Sequence, residues 1–204
     1  MFRLQSRTFV LVATLLSADV ATAQQFVRQD SIRAVPAPVL LETEGMFQDR
    51  YAKVGDDVFI AGQPTERALR EMKALGVTTV VNLRSPSEMQ RIGFDEAKLV
   101  AELGMKYVYL PVRGDAQYPY STETLASFTE TMRTAEGKVL LHCTVAWRAS
   151  HLWGAYLIQQ GVPAADALPH ARAINLMDDH RMDSSGRQPI ELFLGKPVPG
   201  IGRR

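Results

Sequence analysis

The chain contains a single cysteine, carries almost no net charge and has only one notable apolar run. The lone thiol, Cys143, excludes an internal disulfide. Lysine and arginine number 23 against 22 aspartates and glutamates, so nothing indicates a surface for nucleic acid. No run after residue 23 approaches the roughly 18 apolar residues that a transmembrane helix needs, and we expect no membrane span there.

The first 23 residues have the features of a secretory signal peptide. Arg3 and Arg7 give the segment a basic start. Its apolar stretch 8–17 is too short to cross a bilayer, and Ala21-Thr22-Ala23 is a small-residue cleavage site. We therefore expect cleavage after Ala23 and a periplasmic or secreted product. In an oxidising compartment an unpaired thiol is a liability, which favours a functional role for Cys143 over that of a buried, inert cysteine.

Helices that end in glycine alternate with apolar strands through the middle of the chain. The unit recurs at Gly76, Gly104 and Gly137, each followed by a strand-like run. This alternation predicts an α/β fold of three layers, with a mostly parallel central sheet of about four to five strands and helices on both faces. We expect strands at 57–61, 78–83, 105–112 and 138–142, and helices at 65–75, 87–103 (broken near Gly93), 121–133, 149–160 and 163–178.

The chain divides into four parts. After the signal peptide, residues 24–46 show no sustained period and are interpreted as a linker or an N-terminal arm lying on the domain. Residues 47–180 form the predicted domain. Residues 181–204 are polar and rich in glycine and proline, and we expect an irregular tail there.

Chemically active side chains follow three of the predicted strands. Ligands of mostly parallel sheets bind at the carboxyl ends of the strands, so the three loops should open on one edge. Together they would gather a thiol, several arginines and a carboxylate in one crevice. The loops carry Asn82 and Arg84, then Arg113, Asp115 and Tyr118, then Cys143 and Arg148.

The loop after the last strand has the layout of an anion site. Cys143 lies at a strand-to-helix turn, where backbone N–H groups favour negative charge and a partly ionised thiol. Arg148 offers a planar fork of donors for a phosphate or another oxyanion. The loop contains no glycine, although tight anion cradles often need a residue with positive φ.

The sequence His142-Cys143, four residues, then Arg148 resembles the active-site loop of the cysteine-dependent phosphatases, the protein tyrosine and dual-specificity group. That group has five residues between cysteine and arginine, and a serine or threonine after the arginine. The chain is more similar to a bacterial branch, the phosphatase-like domain found fused to β-lactamase-type hydrolases. Two further motifs, Phe59–Thr65 and Val80–Arg84, carry this resemblance, which covers roughly residues 50–178.

The resemblance and the chemistry of phosphoryl transfer imply a role for each candidate. Cys143 would be the nucleophile, Arg148 would bind the phosphoryl oxygens, and Asp115 would act as acid and base. His142 would support the thiol. The substrate would be a phosphorylated small molecule or a phosphoprotein, and no metal or cofactor is required. The predicted substrate-binding residues are Thr144, Val145, Ala146, Trp147, Ala149, Ser150 and Arg84.

Several interpretations stay open at the level of sequence. Asp115 follows a glycine and suits an ordinary turn, and Glu88 or Asp95 are other candidates for the acid. Arg84 suits a salt bridge as well as a ligand contact, and Ser150 is either an aid to the leaving sulfur or a first-turn helix residue. A rhodanese-like sulfurtransferase also holds its cysteine in a short strand-to-helix loop. A phosphate-binding protein without turnover is the third alternative.

Overall fold

The structure is a computed structural model that describes residues 35–177, 183 and 185–202. The predicted signal peptide and the first part of the predicted arm lie outside these residues. A six-stranded sheet forms the centre of the fold. Its strands are β1 (Val39–Leu40), β2 (Tyr51–Val54), β3 (Val58–Ala61), β4 (Val77–Asn82), β5 (Lys106–Tyr109) and β6 (Lys138–His142), in the order β1-β2-β3-β6-β4-β5.

The four strands β3, β6, β4 and β5 are neighbours and run parallel, as the alternation of helices and strands predicts. The prediction of about four to five strands is low by at least one, because β1 and β2 extend the sheet with antiparallel pairs beside β3. Strand β1 comes from the predicted linker or arm. Two residues are too few to show a strand period, so the sequence carried no signal for β1.

The helices cover both faces of the sheet, which confirms the predicted layers. Alternate residues of one strand point to opposite faces. Accordingly Leu140 packs with α1 and α3, whereas Leu141 packs in a second core cluster with α4 to α7. The helices are α1 (Glu66–Ala74), α2 (Pro86–Met89), α3 (Glu96–Glu102), α4 (Thr122–Thr134), α5 (Trp147–Gln159), α6 (Ala164–Ile174) and α7 (Pro189–Leu194).

Most helix boundaries follow from capping chemistry. The side chains of Thr65, Asp95 and Ser121 each accept a hydrogen bond from a first-turn backbone N–H group of α1, α3 and α4. The expected break in the segment 87–103 is present between α2 and α3. Strand β5 ends at Tyr109, earlier than predicted, although Leu110 N and Val112 N beyond it still donate hydrogen bonds to Asn82 O and Leu83 O.

The C-terminal segment is not the irregular tail that we expected for residues 181–204. Helix α7 lies within it and begins with a capping box between Gln188 and Glu191. Its apolar side chains Ile190 and Phe193 are fully buried in the core cluster on the α5 face. The composition of the segment hid this short amphipathic helix, because a polar run precedes it and a run rich in glycine and proline follows it.

Among residues 35–177, 183 and 185–202, no helix combines the length and the apolar character needed to cross a membrane.

Candidate active site

The nucleophile candidate leaves the sheet at its centre. Cys143 directly follows β6, which pairs on both sides with parallel strands. The residue is only 1% exposed, yet it contributes to the wall of a pocket of about 290 Å³ that lies at the carboxyl ends of the strands. Glu88, Cys143, Thr144, Val145, Trp147, Arg148 and Met177 line this pocket.

Ala146 supplies the positive φ that the glycine-free loop was expected to need. Its φ of 63° places it in the left-handed region, immediately before α5. A non-glycine residue pays about 1–2 kcal/mol for this conformation. The neighbouring backbone is held from two sides, since Gln63 N donates to Thr144 O and Asn175 Nδ2 donates to Val145 O.

Gly62, the residue after β3, allows the backbone to approach the loop of residues 143–148 closely. A Cβ atom at this position would lie 1.7 Å from Gln48 O and 2.9 Å from Thr144 O. Both distances are shorter than any van der Waals contact, so only glycine fits between these two backbones. The Gly62-Gln63-Pro64 motif, which carried part of the family resemblance, therefore has a physical role as the support of the loop.

Arg148 is held by a carboxylate at the pocket wall. Its Nη1 lies 2.9 Å from Glu88 Oε2 and its Nη2 lies 2.6 Å from Glu88 Oε1. Nη1 also donates to Leu83 O and Val112 O, and Nη2 donates to Thr144 Oγ1. The two terminal nitrogens are thus fixed by bonds from three separate loops, and the guanidinium is oriented before any ligand arrives.

Electrostatics keeps this pair charged. Burial by itself would raise the pKa of Glu88, but hydrogen bonds from Arg148, Thr144 and Ser85 outweigh it and hold that pKa far below its ordinary value. Burial opposes the charge of Arg148, whereas its electrostatic interactions with Cys143 and Glu88 and its hydrogen bond to Glu88 raise its pKa. Glu88 is consequently a permanent anion at neutral pH and unsuited to donate a proton.

Asp115, the predicted acid, lies apart from the pocket. Its side chain is exposed, and its Oδ1 accepts hydrogen bonds from Gln117 N and Tyr118 N, as in an ordinary aspartate turn. Arg113 lies 3.6 Å from its Oδ2. The residues that line the pocket within the described ranges do not include Asp115. The other sequence candidate, Asp95, caps α3.

The predicted binding residues fall into two groups. Thr144, Val145 and Trp147 line the pocket together with Cys143 and Arg148. Ala146, Ala149 and Ser150 are fully buried, and Ser150 Oγ donates to the Trp147 carbonyl within the first turn of α5. These three side chains, like that of Arg84, are not part of the pocket lining in the described residues.

Arg84 is a buried structural partner rather than a pocket residue. Its Nη1 donates to Gln63 Oε1, and its Nη2 lies 3.0 Å from Glu88 O. Burial lowers the pKa of Arg84, an effect that the Glu88 carboxylate opposes. Both acceptors are uncharged oxygens, so the contacts of Arg84 are structural hydrogen bonds, neither the salt bridge nor the ligand contact that the sequence left open.

The site also uses residues that the sequence did not mark as functional. Met177 contributes an apolar wall and Asn175 holds the Val145 carbonyl, and both follow α6. Glu96 is fully buried beside His142, with 2.9 Å between Oε1 and Nε2. A helix start rich in acidic residues is an ordinary pattern, so nothing in the sequence set Glu96 apart.

A thiol at the turn between a central parallel strand and a helix, with an arginine in the first turn of that helix, is typical of the cysteine-dependent phosphatases. The sequence profile of the "Beta-lactamase hydrolase-like protein, phosphatase-like domain" family matches residues 50–161, more than half of the chain. The chain belongs to this family. This confirms the resemblance read from the sequence motifs and supports a cysteine-type phosphatase.

Two full-length relatives carry the name beta-lactamase hydrolase-like protein. One, from Xylella fastidiosa strain 9a5c, is 26% identical over 132 residues, which are 62% of this chain and 30% of the relative. The other, from Agrobacterium fabrum, is 31% identical over 104 residues, which are 50% of this chain and 23% of the relative. The chain therefore spans less than a third of the length of these relatives.

Solved structures share the fold. A DUF442 protein from Shewanella putrefaciens CN-32 is 30% identical, with a TM-score of 0.50, and the match covers 63% of this chain and 82% of that one. TpbA from P. aeruginosa, solved in complex with phosphotyrosine, is 17% identical with a TM-score of 0.52, and the match covers 69% and 80% of the two chains. At that identity TpbA supports the fold alone.

Proposed function

We propose that the protein hydrolyses phosphate monoesters through a phosphocysteine intermediate on Cys143. One observation carries the proposal: Cys143 and Arg148 line the same pocket, at the N-terminal end of α5. A helix start and an oriented guanidinium stabilise an oxyanion where the thiolate can reach its phosphorus atom.

The reaction would proceed in two steps. The Cys143 thiolate attacks phosphorus, the ester P–O bond breaks, and the leaving oxygen takes a proton from Asp115. Water then attacks the phosphocysteine, Asp115 accepts a proton from that water, and inorganic phosphate leaves as the thiolate is restored. Arg148 and loop N–H groups would hold the phosphoryl oxygens in both steps.

Asp115 can serve as the acid only if its turn moves. The residue is exposed and bonded within its own loop, so protonating a leaving group requires the 113–118 turn to close over the pocket. The loop is already anchored at its start, since Val112 O accepts a hydrogen bond of 2.7 Å from Arg148 Nη1. Closure would thus pivot about a point that touches the anion site.

The pocket walls suggest the shape of the substrate. Val145, Trp147 and Met177 form an apolar side, which suits a phosphate carried by a flat or apolar group, in a small molecule or on a protein side chain. The carboxylate of Glu88, which is part of the described lining, disfavours substrates that carry several further phosphates, because like charges repel.

A rhodanese-like sulfurtransferase is the second candidate, and one specific observation favours it. Among the described residues, the carboxylate that lines the pocket is Glu88, and its pKa is held far too low for proton donation. Sulfur transfer needs no acid. The Cys143 thiolate would take the outer sulfur of thiosulfate, releasing sulfite, and the persulfide would then pass that sulfur to an acceptor such as cyanide.

The two candidates are separated by one pair of assays. The chain, purified under reducing conditions, is tested with an aryl phosphate and, in parallel, with thiosulfate and cyanide. Phosphatase activity that is lost in Cys143→Ser and strongly reduced in Asp115→Asn supports the first proposal. Sulfur transfer without phosphatase activity contradicts it, and phosphate binding without either activity indicates a binding protein.

We also propose that the protein is exported and cleaved after Ala23. The basic start, the short apolar run and the small-residue site support this proposal. Expression of the full chain in a bacterial host, followed by fractionation and intact mass measurement, tests it. A mature mass that begins at Gln24 in the periplasmic or medium fraction is the expected result, whereas an uncleaved cytoplasmic chain contradicts the proposal.

A further inference from the structure

A buried carboxylate lies beside His142, the residue before Cys143, and has no part in the chemistry described so far. Glu96 is the first residue of α3 and is 1% exposed. A buried charge is costly unless hydrogen bonds satisfy it, so a carboxylate kept in this position calls for an explanation. Its partners come from the carboxyl ends of the parallel strands.

Three side-chain donors converge on this carboxylate. His142 Nε2, at the end of β6, lies 2.9 Å from Oε1, and Asn82 Nδ2, at the end of β4, lies 3.1 Å from the same oxygen. Gln63 Nε2, which follows β3, donates to Oε2 at 2.6 Å. Only an ionised carboxylate presents two oxygens that both accept, so Glu96 joins the ends of three neighbouring strands as an anion.

The charge of Glu96 sets the orientation of His142. Burial alone would raise the pKa of Glu96, but the His142 ring and the hydrogen bonds of Gln63 and Tyr107 outweigh it and keep that pKa below its ordinary value. An anionic partner requires His142 Nε2 to carry a hydrogen and donate it. The Nδ1 atom of the same ring is buried without a hydrogen-bond partner in the described part of the chain.

The same network continues to the arginine side of the pocket. Gln63 Oε1 accepts from Arg84, Arg84 Nη2 donates to the Glu88 carbonyl, and the Glu88 carboxylate holds Arg148. The two family motifs around Gln63 and Arg84 therefore connect the residue before the nucleophile with the residue that binds the anion. Neither motif residue lines the pocket itself.

We propose that Glu96 is a positioning residue for the Cys143 thiol. By fixing the His142 ring through Nε2, it holds the end of β6, where Cys143 leaves the sheet, in register with the clamp of Glu88 and Arg148. The inference rests on the proposed function only in taking Cys143 as the reacting thiol. Because Glu96 is not part of the described pocket lining, its loss should affect the reaction of the thiol rather than the binding of substrate.

The test uses Glu96→Gln and needs no knowledge of the substrate. A glutamine amide has one accepting oxygen, so its NH₂ group must face the donor of either Gln63 or His142. Cys143 is the chain's sole cysteine, and its alkylation by iodoacetamide, followed by intact mass, reports this thiol alone. We expect alkylation at least about 10-fold slower than in the wild type, which is about 1.4 kcal/mol in the barrier.

Leu99→Ala is the matched control for a general loss of stability in this part of the core. Leu99 lies on the same helix and is buried in the α1–α3 core cluster, so the variant loses stability without touching His142. It should keep the wild-type alkylation rate in the temperature range where it is folded. Equal slowing in both variants, or no slowing in Glu96→Gln, overturns the proposal.

Two further measurements distinguish positioning from simple support. With whichever substrate is turned over, kcat of Glu96→Gln should fall about 10-fold while KM stays within about threefold of the wild type. In the wild-type protein, ¹⁵N NMR of the His142 ring, assigned with His142→Gln, should show a protonated Nε2. An unprotonated Nε2 contradicts the proposal even if Glu96→Gln does not fold. If the wild-type protein shows neither phosphatase nor sulfurtransferase activity, the proposed function is refuted. The inference about Glu96 still holds in that case if the alkylation rates are as expected.

Discussion

Glu88 and Arg148 meet side by side across the pocket wall, with 2.6 Å between Oε1 and Nη2 and 2.9 Å between Oε2 and Nη1. Their side chains are 21% and 9% exposed, so the pair is largely shielded from water. A bidentate contact of this kind fixes the plane of the guanidinium as well as its position. The orientation of the Arg148 guanidinium is therefore set by a residue 60 positions away in the chain.

Removal of that carboxylate charge should weaken both the fold and the site. We expect Glu88→Gln to lower the free energy of unfolding by about 2 kcal/mol, because the variant leaves the buried Arg148 without its counter-charge. Activity on whichever substrate the protein turns over should fall at least about 10-fold. Urea unfolding and steady-state kinetics measure the two effects. Glu71→Gln, which breaks the exposed pair with Arg67, should change stability by less than about 0.5 kcal/mol.

Acid should destabilise the protein through Glu88 and Glu96. Both carboxyls have a pKa below the ordinary value of 4.5 in the folded state. Groups of this kind contribute stability that is fully present above their unfolded pKa and is lost as the pH falls toward the folded pKa. Stability should thus decline from about pH 4.5 downward. In Glu88→Gln the slope should be shallower, by up to about 1.4 kcal/mol per pH unit, and an unchanged slope in urea titrations would refute this assignment.

Gly62 should tolerate no side chain. The Cβ of Gly62→Ala would overlap Gln48 O and press on Thr144 O, so we expect a loss of at least about 3 kcal/mol in stability and no measurable activity. Gly93→Ala is the matched control, since its Cβ meets nothing within 4 Å. That variant should lie within about 1 kcal/mol of the wild type. Comparable thermal melting of the two variants would contradict the close approach.

Ala146 should accept glycine but not a branched residue. Ala146→Gly relieves the positive φ, loses a buried methyl group worth about 0.8 kcal/mol and adds unfolded-state entropy, so we expect a net change within about 1 kcal/mol. Ala146→Val adds a β-branched side chain in the left-handed region, inside a fully buried turn. It should lose more than about 2 kcal/mol and most activity. Equal stability of the two variants in urea would show that the turn relaxes.

The sequence allowed the fold and the central pair of the site to be predicted for a physical reason. Helix–glycine–strand units leave few topologies other than a parallel sheet, and that topology brings strand-end loops to one edge. Cys143 and Arg148 lie on one such loop, so local spacing alone placed them together. Their shared pocket follows from five positions of chain rather than from tertiary packing.

The partners of these residues depend on contacts that local patterns do not encode. Glu88 reaches Arg148 across 60 residues, and Glu96 reaches His142 across 46. In the sequence alone, both are ordinary acidic residues near the starts of helices. Whether such a side chain points to solvent or into a strand-end network is decided by packing between α2, α3 and the sheet. Helix α7 was missed for a related reason, because its burial depends on the distant α5.

Strand β6 lies at the centre of the sheet, and this position limits the exchange of its backbone amides with solvent. Its backbone amides are bonded to β3 on one side and β4 on the other, so they cannot exchange with solvent hydrogen unless the sheet itself comes apart. We therefore expect Cys143 to be attached to one of the slowest-exchanging segments of the protein. Reagents that reach Cys143 in the folded protein should enter through the pocket that it lines, and we expect partial unfolding at the edges of the sheet, near β1 or β5, to leave Cys143 protected.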